Sequence, residues 1–518
     1  MLDAVVGRLV GVGPAAHRVW MAPLAGPVTL DQVPAADGPL AVAVGLVDRP
    51  REQRRTPLVC DFSGAAGHGL ILGGPRSGKS TALASVAAAL ALGHSPDRVV
   101  LHLVAAPGGP LASLSGLPHV AVTAAHRDRE RIDRTLAALE RALTTADTDP
   151  PHRFLLVDDW TALRRADEAA AERVAALAAD GLAHRVHVLL SASRPADVHP
   201  SLKDLLLTRI ELRLGDPLDS DIDHRAARDV PANTPGRGLL PGPLHCLLAI
   251  PDPTGGTLDA AVRARHPGAA PAAPVLLLPR LLPADDPRLA HAPGVPLGLE
   301  EDELAPVGVD FDADPHLVVL GDPGSGRTGV LRLLARGIAA RATPDQAILA
   351  VGDLRRTLLG ALPPAHTVEH ATGPDELRRV AEDLRDCLAS RLGARRPPGP
   401  AVHLLVDDYE LASGPAGGPL DPLLDLLPHA RDIGLRLVVA RSCGGAGRAL
   451  YEPLLQRLRE AGAAGLLLSG DPEEGALLGG VRPAPLPPGR GRLTAARGGP
   501  AAARLVQTAW LERPDPDR

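Results

Sequence analysis

Internal repetition constrains this chain more than any other feature. Two stretches about 248 residues apart follow one plan. The first reads PLVCDFSGAAGHGLILGGPRSGKST (Pro57–Thr81) and the second PVGVDFDADPHLVVLGDPGSGRTG (Pro306–Gly329). Each runs from an Asp-Phe pair through a turn and an apolar strand into a glycine-rich loop. Three further landmarks recur in the same order. FLLVDDW (Phe154–Trp160) is matched by LLVDDY (Leu404–Tyr409), and VHVLLSASR (Val186–Arg194) by LRLVVARS (Leu435–Ser442). PGRG stands at Pro235–Gly238 and again at Pro488–Gly491. The 518 residues therefore read as two domains of ~250 residues. Aromatic residues make up only 2% of the chain, so both cores must be built from Ala, Leu and Val.

Periodicity supplies the elements. Gly69–Leu72, Val99–Val104, Phe154–Val157, Val186–Leu190 and Ile210–Leu214 are short apolar strands. Lys79–Leu92 is a helix, and Ile132, Leu136, Leu139 and Leu143 mark another by their spacing. In the second copy the matching helix carries Leu377, Val380, Leu384 and Leu388. Strands alternating with helices predict an α/β fold with a mainly parallel sheet covered on both faces. The expected boundaries are an extended, Pro-broken segment at 1–55 packing on the first module, a module at 56–266, a Pro/Ala-rich linker at 267–296, a second module at 297–511 and a disordered tail at 512–518.

The first loop, Gly73-Gly74-Pro75-Arg76-Ser77-Gly78-Lys79-Ser80, fits the Walker A pattern without a mismatch. Its glycines let backbone N–H groups turn inward around a phosphate, and the following helix aims its positive end there. Lys79 is expected to neutralise β/γ-phosphate oxygens, Ser80 to offer its hydroxyl to Mg²⁺, and Thr81 to donate to the α-phosphate. Lys79 is one of only two lysines, with Lys203, in an otherwise Arg-based chain. Asp158 closes an apolar strand in the Walker B manner and is the second expected Mg²⁺ ligand. Asp159 stands where a catalytic carboxylate would activate water; Asp is one methylene shorter than Glu, so weak hydrolysis is expected.

The second loop, Gly321-Asp322-Pro323-Gly324-Ser325-Gly326-Arg327-Thr328, keeps the spacing but replaces Lys with Arg. A planar guanidinium cannot act as the same compact charge. Thr328 and Asp407 remain as Mg²⁺-ligand candidates, with Asp408 beside them. The loop reads equally as a nucleotide-holding site or as an empty structural copy; on the first reading, Arg327→Lys strengthens binding. Ser193 and Arg194 end the strand where a γ-phosphate sensor would lie. Arg209 and Arg213 sit on a late strand from which an arginine, Arg209 above all, could reach a neighbouring subunit's phosphates; Arg237 and Arg490 occupy the PGRG turns. His119, His187, His316 and His403 form no metal-spaced set and are expected at the surface or at strand edges.

Net charge of −6 argues against a whole-chain basic surface for nucleic acid. The longest apolar helix is too short and too Ala-rich to span a bilayer. Four scattered cysteines, without a CxxC pair, read as reduced thiols in the cytosol.

These motifs sit in longer stretches that resemble a known family, the tandem FtsK/SpoIIIE-type ATPases of type VII secretion called EccC, and the part encoded separately in some systems as EccCb. The carrying stretches include RVWMAPLAGPVTLDQV, GGPRSGKST, LKDLLLTRIELRLGDPLDSDIDHRAA, PLLDLLPHARDIGLRLVVARS and EEGALLGGVRPAPLPPGRG, and they cover most of the chain. The resemblance implies two tandem RecA-like P-loop NTPase modules, each an αβα sandwich, that bind ATP and Mg²⁺ and assemble as a ring, expected to be hexameric. It implies partnership with a membrane-anchored EccC N-terminal part and secretion-channel subunits, and export of helical-hairpin (WXG100/ESX) proteins. Their C-terminal signal would dock on the second module, and the chain would lie in the cytoplasm, held at the inner face of the plasma membrane through its partners. Full-length members carry transmembrane helices and a further ATPase module, so the chain reads as a separate subunit or a fragment. Two alternatives stay open: a nucleotide-gated adaptor without significant turnover, and an FtsK-like DNA translocase, although no nucleic-acid partner is expected.

Overall fold

Both glycine-rich loops leave a central strand of their own ten-stranded sheet, and the two sheets share one strand order. A computed structural model of the chain describes residues 2–13, 21–24, 26–144, 149–252, 257–393, 399–414, 417–495, 499 and 502–512. The expected disordered tail falls almost entirely outside the described residues. The chain divides into two units, Met1–Val275 and Leu276–Arg518, a division inside the segment expected as a linker.

In the first unit the strands are β1 (Ala41–Arg49), β2 (Arg54–Asp61), β3 (Gly69–Leu72), β4 (Val99–Val104), β5 (Val120–Ala124), β6 (His152–Val157), β7 (Val186–Ala192), β8 (Thr208–Leu212), β9 (Arg237–Leu240) and β10 (Leu244–Leu248). Their order is β2-β1-β10-β9-β8-β3-β7-β6-β4-β5. From β8 to β5 all pairings are parallel; from β8 to β2 all are antiparallel. The second unit repeats this with β11 (Val295–Glu300), β12 (Pro306–Val309), β13 (His316–Leu320), β14 (Ala347–Asp353), β15 (Thr367–Ala371), β16 (Ala401–Asp407), β17 (Leu435–Arg441), β18 (Ala464–Leu467), β19 (Arg490–Thr494) and β20 (Arg504–Thr508). The fold is thus two tandem RecA-like modules, each a mixed and mainly parallel sheet flanked by helices.

The central strands β3, β7 and β13 are buried along their whole length, which is why they read as mostly apolar runs without alternation. The Lys79–Gly93 helix is buried on every side from Ala82 to Ala91. Alanine supplies its helix propensity and lets it lie close against its neighbours. The Pro374–Ala389 helix buries Leu377, Val380, Leu384 and Leu388 on one stripe, as the spacing predicts. One difference concerns the chain start. Residues 41–61 form the β1–β2 hairpin at the sheet's outer edge, ahead of the expected module start at 56. The Pro-rich stretch before it masks the short alternation of VAVGLV in a reading of sequence alone. A second shift moves the late strand to Thr208–Leu212.

The histidines are not surface residues, which corrects the sequence reading: His119, His187, His316 and His403 are all buried. A neutral imidazole combines an apolar ring face with one donor and one acceptor, so it can serve backbone groups inside a core. His187 Nδ1 lies 2.9 Å from the Gly67 carbonyl, so that nitrogen carries the proton and donates. Its Nε2 then accepts from His152 Nδ1 at 2.9 Å. The Phe154 ring stacks on His187 with centroids 4.3 Å apart. His68 Nδ1 accepts from the Val188 amide at 2.9 Å. Burial holds these rings neutral, with His187 pushed down to about 3 and His68 and His152 to about 4. A pKa lowered by folding means that the unfolded chain binds protons first as pH falls. The first unit should therefore keep full histidine-linked stability above about pH 6.5 and lose it progressively toward pH 4. Thermal melts across that window check this, and His187→Gln should flatten the acid limb.

Candidate functional site

In the first unit Gly73 follows β3, and its amide donates to the Ala192 carbonyl of β7 at 3.2 Å. Gly74 donates to Arg213 across the other neighbour, at 2.8 Å. The loop is thereby fixed at the carboxyl ends of three parallel strands, where α/β sheets place ligands. Pro75 leads into Arg76, which is left-handed at φ 58°, and Gly78 at φ 101° delivers the chain into the Lys79–Gly93 helix. No side chain fits at Gly73, where a Cβ would stand 2.4 Å from Ser77 Oγ. Among the described residues Ser77 Oγ is buried without a partner, and so is Ser325 Oγ in the second loop. A cradle of amides at a helix N-terminus, lined by an orphaned hydroxyl, fits a phosphate chain.

Lys79 Nζ bonds the Gly73 carbonyl at 2.7 Å and the Gly74 carbonyl at 3.1 Å. Burial lowers its pKa, and the nearby Asp159, Asp158 and Asp197 charges oppose that. Asp158 is buried at the end of β6, where its Oδ1 accepts from Ser191 Oγ at 2.7 Å. The same hydroxyl accepts from the Asp159 amide at 2.9 Å. Ser80 and Thr81 occupy the first turn of the loop helix. A hydroxyl at Ser80 and a carboxylate at Asp158 are hard oxygen ligands of the kind Mg²⁺ takes. Asp159 is left-handed at φ 73°, and its carboxylate caps the Trp160–Ala166 helix by accepting from Ala162 N at 3.1 Å.

The second unit holds its loop by the same scaffold and differs in its charges. Gly321 donates to Arg441 at 3.2 Å and Asp322 to Ser469 at 2.8 Å. Pro323 leads into Gly324 and Gly326, which take positive φ as the turn requires. Arg327 turns away from the lysine role. Its Nη2 bonds Asp408 Oδ1 at 2.7 Å and its Nη1 reaches Glu410 Oε1 at 3.3 Å. Arg355 bonds the other Asp408 oxygen at 3.1 Å. Thr328 Oγ1 donates to Asp407 Oδ2 at 2.6 Å, and the Asp408 amide donates to Asp407 Oδ1 at 3.0 Å. Burial pushes Asp407 up to about 6. The second loop thus keeps the phosphate cradle, while its cation and its acids satisfy one another.

Several of the other arginines singled out in the sequence are engaged within the chain. Arg209 donates to the Leu206 and Lys203 carbonyls of its own chain, at 3.0 and 2.7 Å. Arg213 donates to the Val230 carbonyl, and Arg194 pairs with Asp197 at 3.4 Å. At the end of β7 Ser191 serves the acid pair. Its signal was a hydroxyl inside an otherwise apolar strand. Register places Ala440 at the equivalent point of β17, with no hydroxyl to offer. Arg355 and Glu410 carried no signal, because their role exists only through pairing with Arg327 and Asp408.

The FtsK/SpoIIIE family matches residues 40–254. The ESX-4 secretion system protein EccC4 of Mycobacterium tuberculosis is 42% identical, over 99% of this chain and 44% of its own length. The ESX-1 secretion system protein EccCb1 of the same species is 30% identical, over 99% of this chain and 96% of its own. The chain therefore spans less than half the length of EccC4 and nearly all of EccCb1. A solved structure of Thermomonospora curvata EccC (ATPases 2 and 3) in complex with a signal sequence peptide is 39% identical, with a TM-score of 0.69. That likeness covers 95% of this chain and all of the other.

Proposed function

This chain belongs to the EccC family of FtsK/SpoIIIE-type ATPases, and from that premise we propose that it binds ATP at its first module and recognises export substrates at its second. The observation that carries the reading is the match of both modules together, across the whole chain, to EccC ATPases 2 and 3. That protein was captured with a signal sequence peptide, and a similar peptide from a helical-hairpin protein is the substrate feature proposed for this chain. The work is done on the cytoplasmic side of the membrane, in a ring with further EccC and channel subunits; among the described residues no helix is long and apolar enough to cross a bilayer.

At the first loop the amides of Arg76, Gly78 and Lys79 would hold the β-phosphate, with the Lys79 ammonium on β/γ oxygens and Ser80 and Asp158 toward Mg²⁺. Mg²⁺ held there would supply neutralisation of phosphate charge. The chain's own part is to fix that geometry: Ser191 orients Asp158 and anchors the Asp159 amide. Asp159 stands exposed with one carboxylate oxygen held by the Ala162 amide, and its side chain, one methylene shorter than Glu, supports slow turnover. At the second loop Arg327 is engaged by Asp408 and Glu410, which supports no role in hydrolysis, while the retained loop backbone supports a nucleotide held for assembly. These same observations favour the adaptor as the second reading; ATP bound stoichiometrically with negligible turnover would distinguish it.

The test of recognition is fluorescence anisotropy of a labelled C-terminal peptide from a helical-hairpin (WXG100/ESX) protein. Saturable binding to the full chain is expected. Failure of the folded chain, with ATP present, to bind it would overturn the recognition reading.

A further inference from the structure

The PGRG arginines are left without a role by the reading above, and the structure gives both the same one. In the first module the Gly236 amide donates to the Ser77 carbonyl of the phosphate loop at 2.9 Å, and Gly489 donates to Ser325 at 2.8 Å in the second. The next residue points the other way. Arg237 Nη1 bonds the Leu24 carbonyl at 2.5 Å, and Arg490 Nη2 bonds the Leu278 and Pro279 carbonyls at 3.0 and 3.2 Å. Both arginines are buried. Leu24 and Leu278 lie in segments that run ahead of the first strand of each module. Four residues on, each segment pairs with the end of its module's last strand. Ile250 donates to Val28 at 2.7 Å and accepts from Leu30 at 3.2 Å. Trp510 donates to Leu282 at 2.7 Å and accepts from Ala284 at 3.0 Å. The device is present twice in modules whose phosphate loops have diverged.

In the second module this segment walls a cavity of about 660 Å³ over the phosphate loop. Arg280 and Leu281 line it from the segment, Gly326 and Thr328 from the loop, and Trp510 and Leu511 from the chain end. That is room for far more than a phosphate chain. Trp510 is pinned through its backbone yet leaves half its surface open, 50%. An indole held beside a phosphate cradle is a stacking partner for an aromatic base.

We propose that this compartment seats the base of a nucleotide on Trp510, and that Arg490 is a positioning residue that holds its wall in place. The proposal rests on the second loop binding nucleotide. Because Arg490 stands between the segment and the loop, docking of the segment and binding of the base assist each other.

The test uses the full chain carrying Lys79→Ala, so that titration reports the second loop, with ATP and inorganic tripolyphosphate as paired probes. ATP is expected to bind more tightly than tripolyphosphate. Arg490→Ala should weaken ATP about tenfold or more and leave tripolyphosphate unchanged. It should also speed hydrogen exchange at the Ala284 and Trp510 amides. Trp510→Ala, at a half-exposed side chain, should give the same split in affinity and serves where Arg490→Ala fails to fold. Equal affinity of the parent chain for the two probes overturns the base seat. Equal loss of both probes in Arg490→Ala, or no loss of either, overturns the positioning role. If the parent binds neither probe, the nucleotide reading of the second loop itself fails, and the base seat with it.

Discussion

Lys79→Ala is expected to weaken ATP binding at the first module ~100-fold or more, the largest functional effect of any single change in this chain. The reason lies in where the ammonium sits. It is half-buried at the mouth of the loop, bonded to the Gly73 and Gly74 carbonyls, with Asp158, Asp159 and Asp197 close enough to favour its charge. A triphosphate offered to this loop meets amide dipoles and one compact cation. Alanine keeps the dipoles and removes the cation, so two charge-assisted hydrogen bonds to phosphate are lost in a partly desolvated place. It also leaves the nearby carboxylates without their counter-charge, which raises the repulsion a phosphate must overcome. Equilibrium titration with ATP and Mg²⁺ reads this directly, with melting temperature as the control for folding. Unchanged affinity in a folded variant would show that the loop is not the ATP site.

Arg327→Ala is expected to damage the second module through stability, by ~3–5 kcal/mol, the range found when one partner of a buried ion pair is removed. Arg327 is only 11% exposed and joins Asp408, 5% exposed, to Glu410. Burial already raises the pKa of Asp408 against the opposing charge of Arg327. Without the guanidinium, Asp408 keeps only Arg355, which is itself largely in solvent. The second unit should unfold at a lower temperature while the first is unaffected, as calorimetry can resolve. Adding Asp408→Asn should restore much of the loss, since it removes the charge left unpaired. Arg327→Lys then has a different meaning from the one its loop position suggests. An ammonium cannot serve Asp408 and Glu410 with a planar fork, so any gain in phosphate binding comes at the expense of the ion pair. A full loss of stability in the double variant as well would show that packing of the Arg327 side chain, rather than its charge, holds the second module.

Order and spacing along the chain determined the repeat, the strand–loop–helix unit of each module, and Lys79 and Asp158 as facing elements of one site. These are local facts: buried parallel strands are continuous apolar runs, and a phosphate loop has one spacing that works. What each polar side chain does with its freedom was decided in three dimensions. Asp159 and Asp408 are both left-handed residues after an apolar strand, yet one caps a helix and the other joins two arginines. The difference comes from Arg327, Arg355 and Glu410, which lie far from one another in sequence or carry no pattern of their own. The histidines were misplaced because composition treats imidazole as polar, while the core uses its neutral ring. Arg237 and Arg490 carried the same PGRG signal in sequence, but the carbonyls they hold lie more than 200 positions away. Backbone carbonyls have no sequence signature, so only the folded chain could show which ones a buried guanidinium would find.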